Sequence, residues 1–563
     1  MDEAWVPTYF CHQKKINYII MNNRIAILLA AMLGAAGSVA VAGEGKVLSP
    51  QSGQFFKTKM SSEIRVADCR NDSALCKMVA TAMQGVVNQD SAQVYLFLGD
   101  HHKTQLDDTG RKYEVLPVEG KSKGASGFMS IVDNFGDRFR HIYIWDPAEE
   151  WSWNMALMLS SRNKGMPLTA GLAEEVMSTT GWKGSVTDLR HRFQGKLDFY
   201  DWAIENILPQ CHENVIFSVG LRDDWRGAPW TLYDYVTASG GFAFWLDDRD
   251  KTEQDEIRKI CSAGGYKPGA IVMGYAKSGD DLLATVNNYG IGYVVSDYYA
   301  NGSFWSAYPN KAFTQRPGNA VEAAPGNIYV SIVLSDGDNL QFGQNALYNL
   351  WSRDENRGSV PVGTTMAAGL QEINPFLLEW YYSRMTPNDE LVAGPSGFQF
   401  IYGRDYDTDS YETWLKLNRE WLESAGFHTG CLWHTTYGTD TFRRYIETSG
   451  LKAIFDGDDA TGVQYVDGVV VMNQGEHLVK EGEMYNALIK LTPDPVAPLF
   501  VNLYPIAAEY CRGDGMSILK REIERLEAER PGVYHYLLPK DLAATASKYF
   551  EKTSRNDITL NED

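Results

Sequence analysis

The sequence predicts an α/β protein: a C-terminal (β/α)8 TIM-like barrel over residues 325–563, preceded by α/β N-terminal domains over residues 43–320. Three observations predict it. After residue 325, eight short apolar runs alternate with helical stretches, which is the arithmetic of such a barrel. Before residue 320, strand-like runs ending in Gly, Asp or Pro alternate with helices, which implies mostly parallel sheets, split among two or three small α/β subdomains. Between the halves, Gln315-Arg-Pro-Gly-Asn-Ala-Val-Glu-Ala-Ala-Pro-Gly326 has the composition of a boundary. An open doubly wound sheet is the alternative arrangement of the same elements.

The chain has 563 residues, 44% of them hydrophobic and 22% charged, so it can bury several cores and is not a disordered polymer. Against 72 Asp+Glu stand 52 Lys+Arg, a formal charge of −20. That excess of acids disfavours nucleic acid and anionic membrane surfaces as partners. The 15 Trp, 31 Tyr and 23 Phe supply cores and suit ligands with apolar faces and polar rims, such as sugars.

In chain order, residues 1–20 are polar and mixed, as expected of an upstream mis-start before Met21. Arg24, the apolar run 25–33 and Ala40-Val41-Ala42 before Gly43 have the form of a signal peptide, 21–42. Gly34, Gly37 and Ser38 interrupt the run, so a membrane span is not expected in the mature protein. The mature chain is expected to begin near Gly43 and to be periplasmic or extracellular. Cys11 lies in the leader. Cys69, Cys76, Cys211, Cys261, Cys431 and Cys511 remain. Export permits a Cys69–Cys76 disulfide, but a chain this long needs no staples, and buried free thiols are the expected state.

N-terminal strands are predicted at 93–97, 141–145, 215–219, 241–246, 270–273 and 292–295, with helices at 73–86, 153–160, 172–177 and 255–263. Barrel strands are predicted at 328–334, 362–368, 391–393, 429–433, 452–455, 469–472, 498–503 and 533–537. Helices are predicted at 341–351, 375–383, 411–424, 441–448, 483–490, 516–528 and 542–550, leaving an Asp/Gly-rich loop after the fifth strand.

In either architecture ligands bind at the carboxyl ends of the strands. Those ends carry Ser335-Asp336-Gly337-Asp338-Asn339, then Gln371-Glu372, Gly394-Pro395-Ser396-Gly397, Trp433-His434, Asp456-Gly457-Asp458, Asn473-Gln474 and Asn502 with Tyr504. This concentration predicts a polar site at the mouth. The two Asp-Gly-Asp turns follow strands one and five, which face each other across an eight-stranded barrel. Facing carboxylates suit acid/base work on a glycosidic bond or a hard cation, although Asp and Gly are also common turn formers.

Other motifs are excluded. Asp405-Tyr-Asp-Thr-Asp-Ser410 lacks the glycine and the closing glutamate of an EF-hand. Asp409 with Glu412 reads instead as a helix cap with its reciprocal partner. No G-x-S-x-G, H-E-x-x-H, P-loop or dinucleotide fingerprint occurs, and no cofactor or metal is expected.

Three stretches resemble a known family, the secreted bacterial GxGYxYP proteins, regarded as glycoside hydrolases. Gln84-Gly85-Val86-Val87-Asn88-Gln89 with Val94-Tyr95-Leu96 is similar to the family's N-terminal opening. Tyr329-Val-Ser-Ile-Val-Leu-Ser-Asp-Gly-Asp-Asn339 resembles the start of its C-terminal domain. Gly394-Pro-Ser-Gly-Phe-Gln-Phe-Ile-Tyr-Gly403 stands in the place of the naming motif; Gly397 and Tyr402 match, while Gln399, Phe400 and Gly403 replace Gly, Tyr and Pro.

The expected function is therefore a secreted glycoside hydrolase acting on a carbohydrate. One of Asp336 and Asp338 pairs with Glu372, Asp456 or Asp458, one carboxyl donating a proton and the other serving as base or nucleophile. Asn339, Tyr402, Trp433, His434, Gln474 and Tyr504 are expected to line the sugar. A metal-dependent carbohydrate hydrolase or deacetylase and a non-catalytic glycan-binding protein are the alternatives.

Overall fold

The structure is a computed structural model that describes residues 55–117, 126–221, 230–432, 438–457, 462–506 and 509–553. The predicted leader, Met1 to Ala42, lies outside the described residues. Among the described residues no helix is long and apolar enough to cross a membrane.

Three small parallel sheets come first. β1 (Lys59–Asp68), β2 (Ser91–Phe97) and β3 (Glu114–Val115) form a sheet in the order β2-β1-β3. β4 (His141–Trp145), β5 (Gly165–Thr169) and β6 (Ser185–Asp188) follow in the order β5-β4-β6. β7 (Val215–Ser218), β8 (Phe242–Phe244), β9 (Ala270–Gly274) and β10 (Ile291–Val295) form the third, ordered β10-β9-β7-β8. Helices link these strands, as parallel pairing requires.

The resembling N-terminal stretch joins the units. A Cβ on Gly85 would lie 2.0 Å from the Asp234 carbonyl oxygen, so only glycine lets helix Ala74–Asn88 approach helix Tyr233–Ser239 this closely. Gln89 Nε2 donates to the carbonyls of Ser161 and Thr237, both at 2.7 Å. Asn88 Oδ1 accepts the N–H groups of Gln93 and Val94, at 3.0 and 2.9 Å. Half-buried Gln89 thereby ties three units together.

The remaining strands form one large sheet: β11 (Ile328–Leu334), β12 (Val362–Met366), β13 (Asp389–Ala393), β14 (Thr429–Leu432), β15 (Ala453–Asp456), β16 (Val463–Val466), β17 (Val469–Asn473), β18 (His477–Leu478), β19 (Leu499–Pro505) and β20 (Tyr534–Tyr536). Its order is β16-β17-β15-β14-β13-β12-β11-β19-β18, with β20 beside β11. All pairs are parallel except β16 with β17. β17 pairs with β15 while β18, a few residues later, pairs with β19, so the 469–478 segment touches both ends of the curled sheet.

All eight predicted barrel strands are present, but the eighth does not lie between the seventh and the first. Ile328, Tyr329 and Val330 pair with β19 on one side and with β20 on the other, so β20 lies on the β12 side of β11. β19 pairs with β11 over five residues and takes the edge that an eight-membered ring reserves for its last strand. The predicted Asp/Gly loop after β15 carries the short β16, which folds back on β17.

The concave face holds its own core: Tyr329, Val333, Val392, Cys431, Phe455, Met472, Phe500 and Tyr504 meet Leu542, Ala543 and Ala546 of the C-terminal helix Pro539–Thr553. Buried Glu390 joins that helix to the sheet, accepting the Lys540 N–H at 2.8 Å and the Thr429 hydroxyl at 2.6 Å. The predicted cap at Asp409 shifts by two residues: Asp407 caps helix Thr408–Ala425, accepting the Ser410 N–H at 2.9 Å, and Asp409 falls in the first turn.

Among the described residues no sheet takes strands from both sides of the Arg316–Gly326 stretch. That stretch is tied down, however. Arg316 grips Asp541 through two 2.6 Å bonds, Asn319 N–H donates to Asp541 at 2.7 Å, and a Cβ on Gly318 would lie 2.1 Å from the Lys540 carbonyl. A glutamyl endopeptidase should cut after Glu322 slowly in the parent chain and about tenfold faster in Asp541→Ala. Equal cleavage rates would show that the pair does not hold the linker.

Candidate active site

β11 is buried along its whole length, so the first polar side chains with appreciable exposure emerge past its carboxyl end. There the chain turns. Asp336 has φ +64°, in the left-handed region that side-chain-bearing residues seldom enter. Gly337 is demanded by contact, because a Cβ would stand 1.7 Å from the Thr365 carbonyl oxygen. Its N–H donates to Thr365 Oγ1 at 3.1 Å, and the Thr365 hydroxyl donates to the Leu334 carbonyl at 3.2 Å. The Asn339 N–H closes the turn on the Asp336 carbonyl at 3.0 Å.

Asp336 and Asp338 are both half-buried. The Ser335 hydroxyl donates to Asp336 Oδ2 at 2.6 Å. Asp338 lies against the chain after β13, where a Cβ on Gly394 would stand 2.2 Å from the Asp338 Cβ. Burial, helped by the neighbouring Asp336 charge, pushes the Asp338 carboxyl up to about 7. Of the two carboxyl groups on this turn, Asp338 is thus pushed toward protonation near neutrality.

Strand alternation brings others to the same end. Cys431 of β14 and Tyr504 of β19 belong to the concave core. Burial, and after it the nearby Cys431, Asp338 and Asp336, raise the Tyr504 hydroxyl well above its ordinary value. Burial likewise raises the Cys431 thiol, with Asp338 adding to it. Gln474 is buried, and its Oε1 lies 3.2 Å from His477 Nε2. Burial lowers His477 although the Asp336 charge opposes it. Asn502 fixes this edge, giving its Nδ2 to the Gln474 carbonyl at 2.5 Å and taking the Ser331 hydroxyl at 2.7 Å.

The structure gathers Asp336, Asp338, Asn339, Gln474 and Tyr504 of the predicted set. Asn339 is buried just before helix Leu340–Gln344. Three others go elsewhere. Glu372 is fully buried at a seam, its carboxylate 3.4 Å from Asn310 Nδ2 and facing Lys57, whose ammonium donates to the carbonyls of Ser306, Tyr308 and Glu372. Burial raises Glu372 against the pull of Lys57. Asp456 ends β15 in register with Ile454, whose face packs into the main core, while Ala453 and Phe455 fill the concave side. Tyr402 gives its hydroxyl to Asp280 and its N–H to Asn287 Oδ1 at 2.6 Å, which places it on the unit that carries β10. Trp433, His434 and Asp458 lie outside the described residues.

The stretch around Tyr402 is a seam too. Phe400 and Tyr293 exchange two backbone bonds of 2.9 Å, and Gln399 Nε2 donates to the Gly269 carbonyl at 2.7 Å. Gly397 has φ +124°, and a Cβ there would meet Asn418 Oδ1 at 2.1 Å. Cys431 and His477 went unpredicted at the mouth, although the inward alternation of β14 points to Cys431. All six described cysteines are free thiols. Among the described residues no three His, Cys, Asp or Glu side chains gather as a metal site.

Residues 326–490 match the family model described as "GxGYxYP putative glycoside hydrolase C-terminal domain", residues 216–307 the "GxGYxYP third domain" and residues 142–212 the "GxGYxYP_N second domain". Among solved structures, a "putative hydrolase" from Bacteroides thetaiotaomicron VPI-5482 is 17% identical with a TM-score of 0.72, over 89% of this chain and 99% of that one. At that identity the likeness is one of fold. A "probable Polysaccharide deacetylase" from Pseudomonas aeruginosa PAO1 reaches a TM-score of only 0.29 at 14% identity, over 41% of this chain and 93% of that one. No curated protein matches the chain.

Proposed function

The chain belongs to the GxGYxYP family, and from that premise we propose that it is an exported glycoside hydrolase acting at the carboxyl ends of β11, β14 and β19. Asp338 donates the proton to the departing glycosidic oxygen, and Asp336 is the ionised partner that stabilises the developing positive charge or takes the sugar covalently. Tyr504 and Gln474 border the same space and supply hydroxyl and amide contacts to the sugar. The observation that carries this reading is the turn itself: two carboxyl groups flank a glycine whose place leaves no room for a side chain, and Asp338 is pushed up to about 7. A general acid needs that state. A hydrolase neighbour of the same fold and the family's description agree with it.

Release of reducing ends from a broad panel of oligosaccharides tests the reading. Turnover by the parent chain and its loss in Asp338→Asn support it. Binding without turnover on every member of the panel would favour a glycan-binding protein instead.

Export belongs to the same proposal and rests on residues 21–42 of the sequence. Mass spectrometry of protein secreted by the source cell should find an N-terminus near Gly43. Secreted material that still carries Met1 to Phe10 would overturn both the start and the cleavage.

A further inference from the structure

Helix Leu340–Gln344 follows the acid turn directly and has only five residues. A helix that short cannot hold itself in place. Its anchors come largely from the unit that carries β10. The Asp297 N–H donates to Gln341 Oε1 at 2.7 Å, and Gln341 Nε2 returns a bond to Asp297 Oδ2 at 3.3 Å. One turn on, the Ala300 N–H donates to Gln344 Oε1 at 3.2 Å, and Gln344 Nε2 donates to the Ala300 carbonyl at 3.1 Å. Both glutamines are 1% exposed, so water offers them no substitute partner.

The loop that makes these contacts is itself pinned. Asn301 sits at φ +59°, and its Oδ1 accepts Gln84 Nε2 at 2.7 Å and the Leu96 N–H at 2.9 Å. Gln84 and Leu96 belong to the N-terminal stretch of family resemblance. Gln105 Nε2, from the same first unit, donates to the Gln344 carbonyl at 2.5 Å. A continuous set of buried amides therefore runs from the first unit, through the Asp297–Asn301 loop, to the helix that ends the acid turn.

We infer that the N-terminal units set the position of the acid turn, with Gln341 and Gln344 as positioning residues. The inference rests on the reading of Asp338 as proton donor. Paired amides that bond in both directions fix a distance and an orientation together, which a turn that presents a proton donor requires.

Gln341→Glu tests it. The variant keeps an acceptor for the Asp297 N–H but sets a carboxylate against the Asp297 carboxylate; adding Asp297→Asn restores a donor between them. Hydrogen exchange of the full chain, read on a peptide spanning 335–345, should run about tenfold faster in Gln341→Glu and return close to the parent rate in the double variant. On the best oligosaccharide of the panel, kcat should fall about tenfold at little-changed KM and recover in the double variant. If Gln341→Glu does not fold, Gln344→Met, which removes both bonds to Ala300 at similar volume, is expected to show the same two effects. Unchanged exchange of 335–345 in a folded variant would overturn the inference, as would faster exchange with unchanged kcat. The exchange readout needs no substrate, so its failure is distinct from failure of the hydrolase reading.

Discussion

Asp338→Asn is expected to lower turnover by about 10²–10⁴-fold, the range a positioned general acid contributes. The amide keeps the shape of the side chain against Gly394 but cannot give up a proton. In the parent chain the alkaline limb of kcat/KM should fall near the value of about 7 to which burial and Asp336 push this carboxyl. In Asp336→Asn the neighbouring charge is gone, and that limb should move to lower pH.

Stability should respond with a definite sign. Asp338 rises from about 3.9 in an unfolded chain to its higher folded value, so the folded state holds the proton more tightly. Its contribution is complete below about pH 4 and is lost as pH rises through about 7. Asp338→Asn carries no such loss, so its melting temperature relative to the parent should improve between pH 5 and pH 8. A variant that keeps full turnover, or whose relative melting temperature is flat with pH, would remove Asp338 from the role of acid.

Gly337→Ala is expected to have the second-largest effect, by geometry rather than charge. The added methyl would stand 1.7 Å from the Thr365 carbonyl oxygen, a backbone atom of β12 that cannot swing aside. Either β12 shifts or the turn lifts away. Overpacking of this kind typically costs about 1–3 kcal/mol. Lifting the turn also breaks the 3.1 Å bond from Gly337 N–H to Thr365 Oγ1 and moves both carboxyl groups. Turnover should fall about as far as in Asp338→Asn, with a lower melting temperature at every pH rather than a pH-dependent change. Thermal melts at pH 5 and pH 8 separate the two variants. Parent-like activity and stability in Gly337→Ala would show that the turn has room the structure does not give it.

The elements of the C-terminal sheet were legible because each strand is a short apolar run closed by polar or glycine residues, as in 328–334 before Ser335-Asp336-Gly337. The place of β20 was not legible, since pairing partners depend on which edge of β11 is already taken by β19. Glu372 and Asp456 show the same limit within the site. Both follow apolar strands, as Asp338 does, but Glu372 is drawn to Lys57, more than three hundred residues away in sequence, and the alternation of β15 turns Asp456 to the face of Ile454.

By itself, then, the sequence determined the strand and helix inventory, the family resemblance and the acid turn, because apolar periodicity, glycine and the Asp336-Gly-Asp338 spacing are local properties. Only the tertiary structure decided that the Asp338 carboxyl is pushed toward neutrality and what holds it there. Burial of Asp338 against Gly394 and the anchoring of Gln341 on Asp297 depend on contacts between segments far apart in the chain, and no local pattern encodes such contacts.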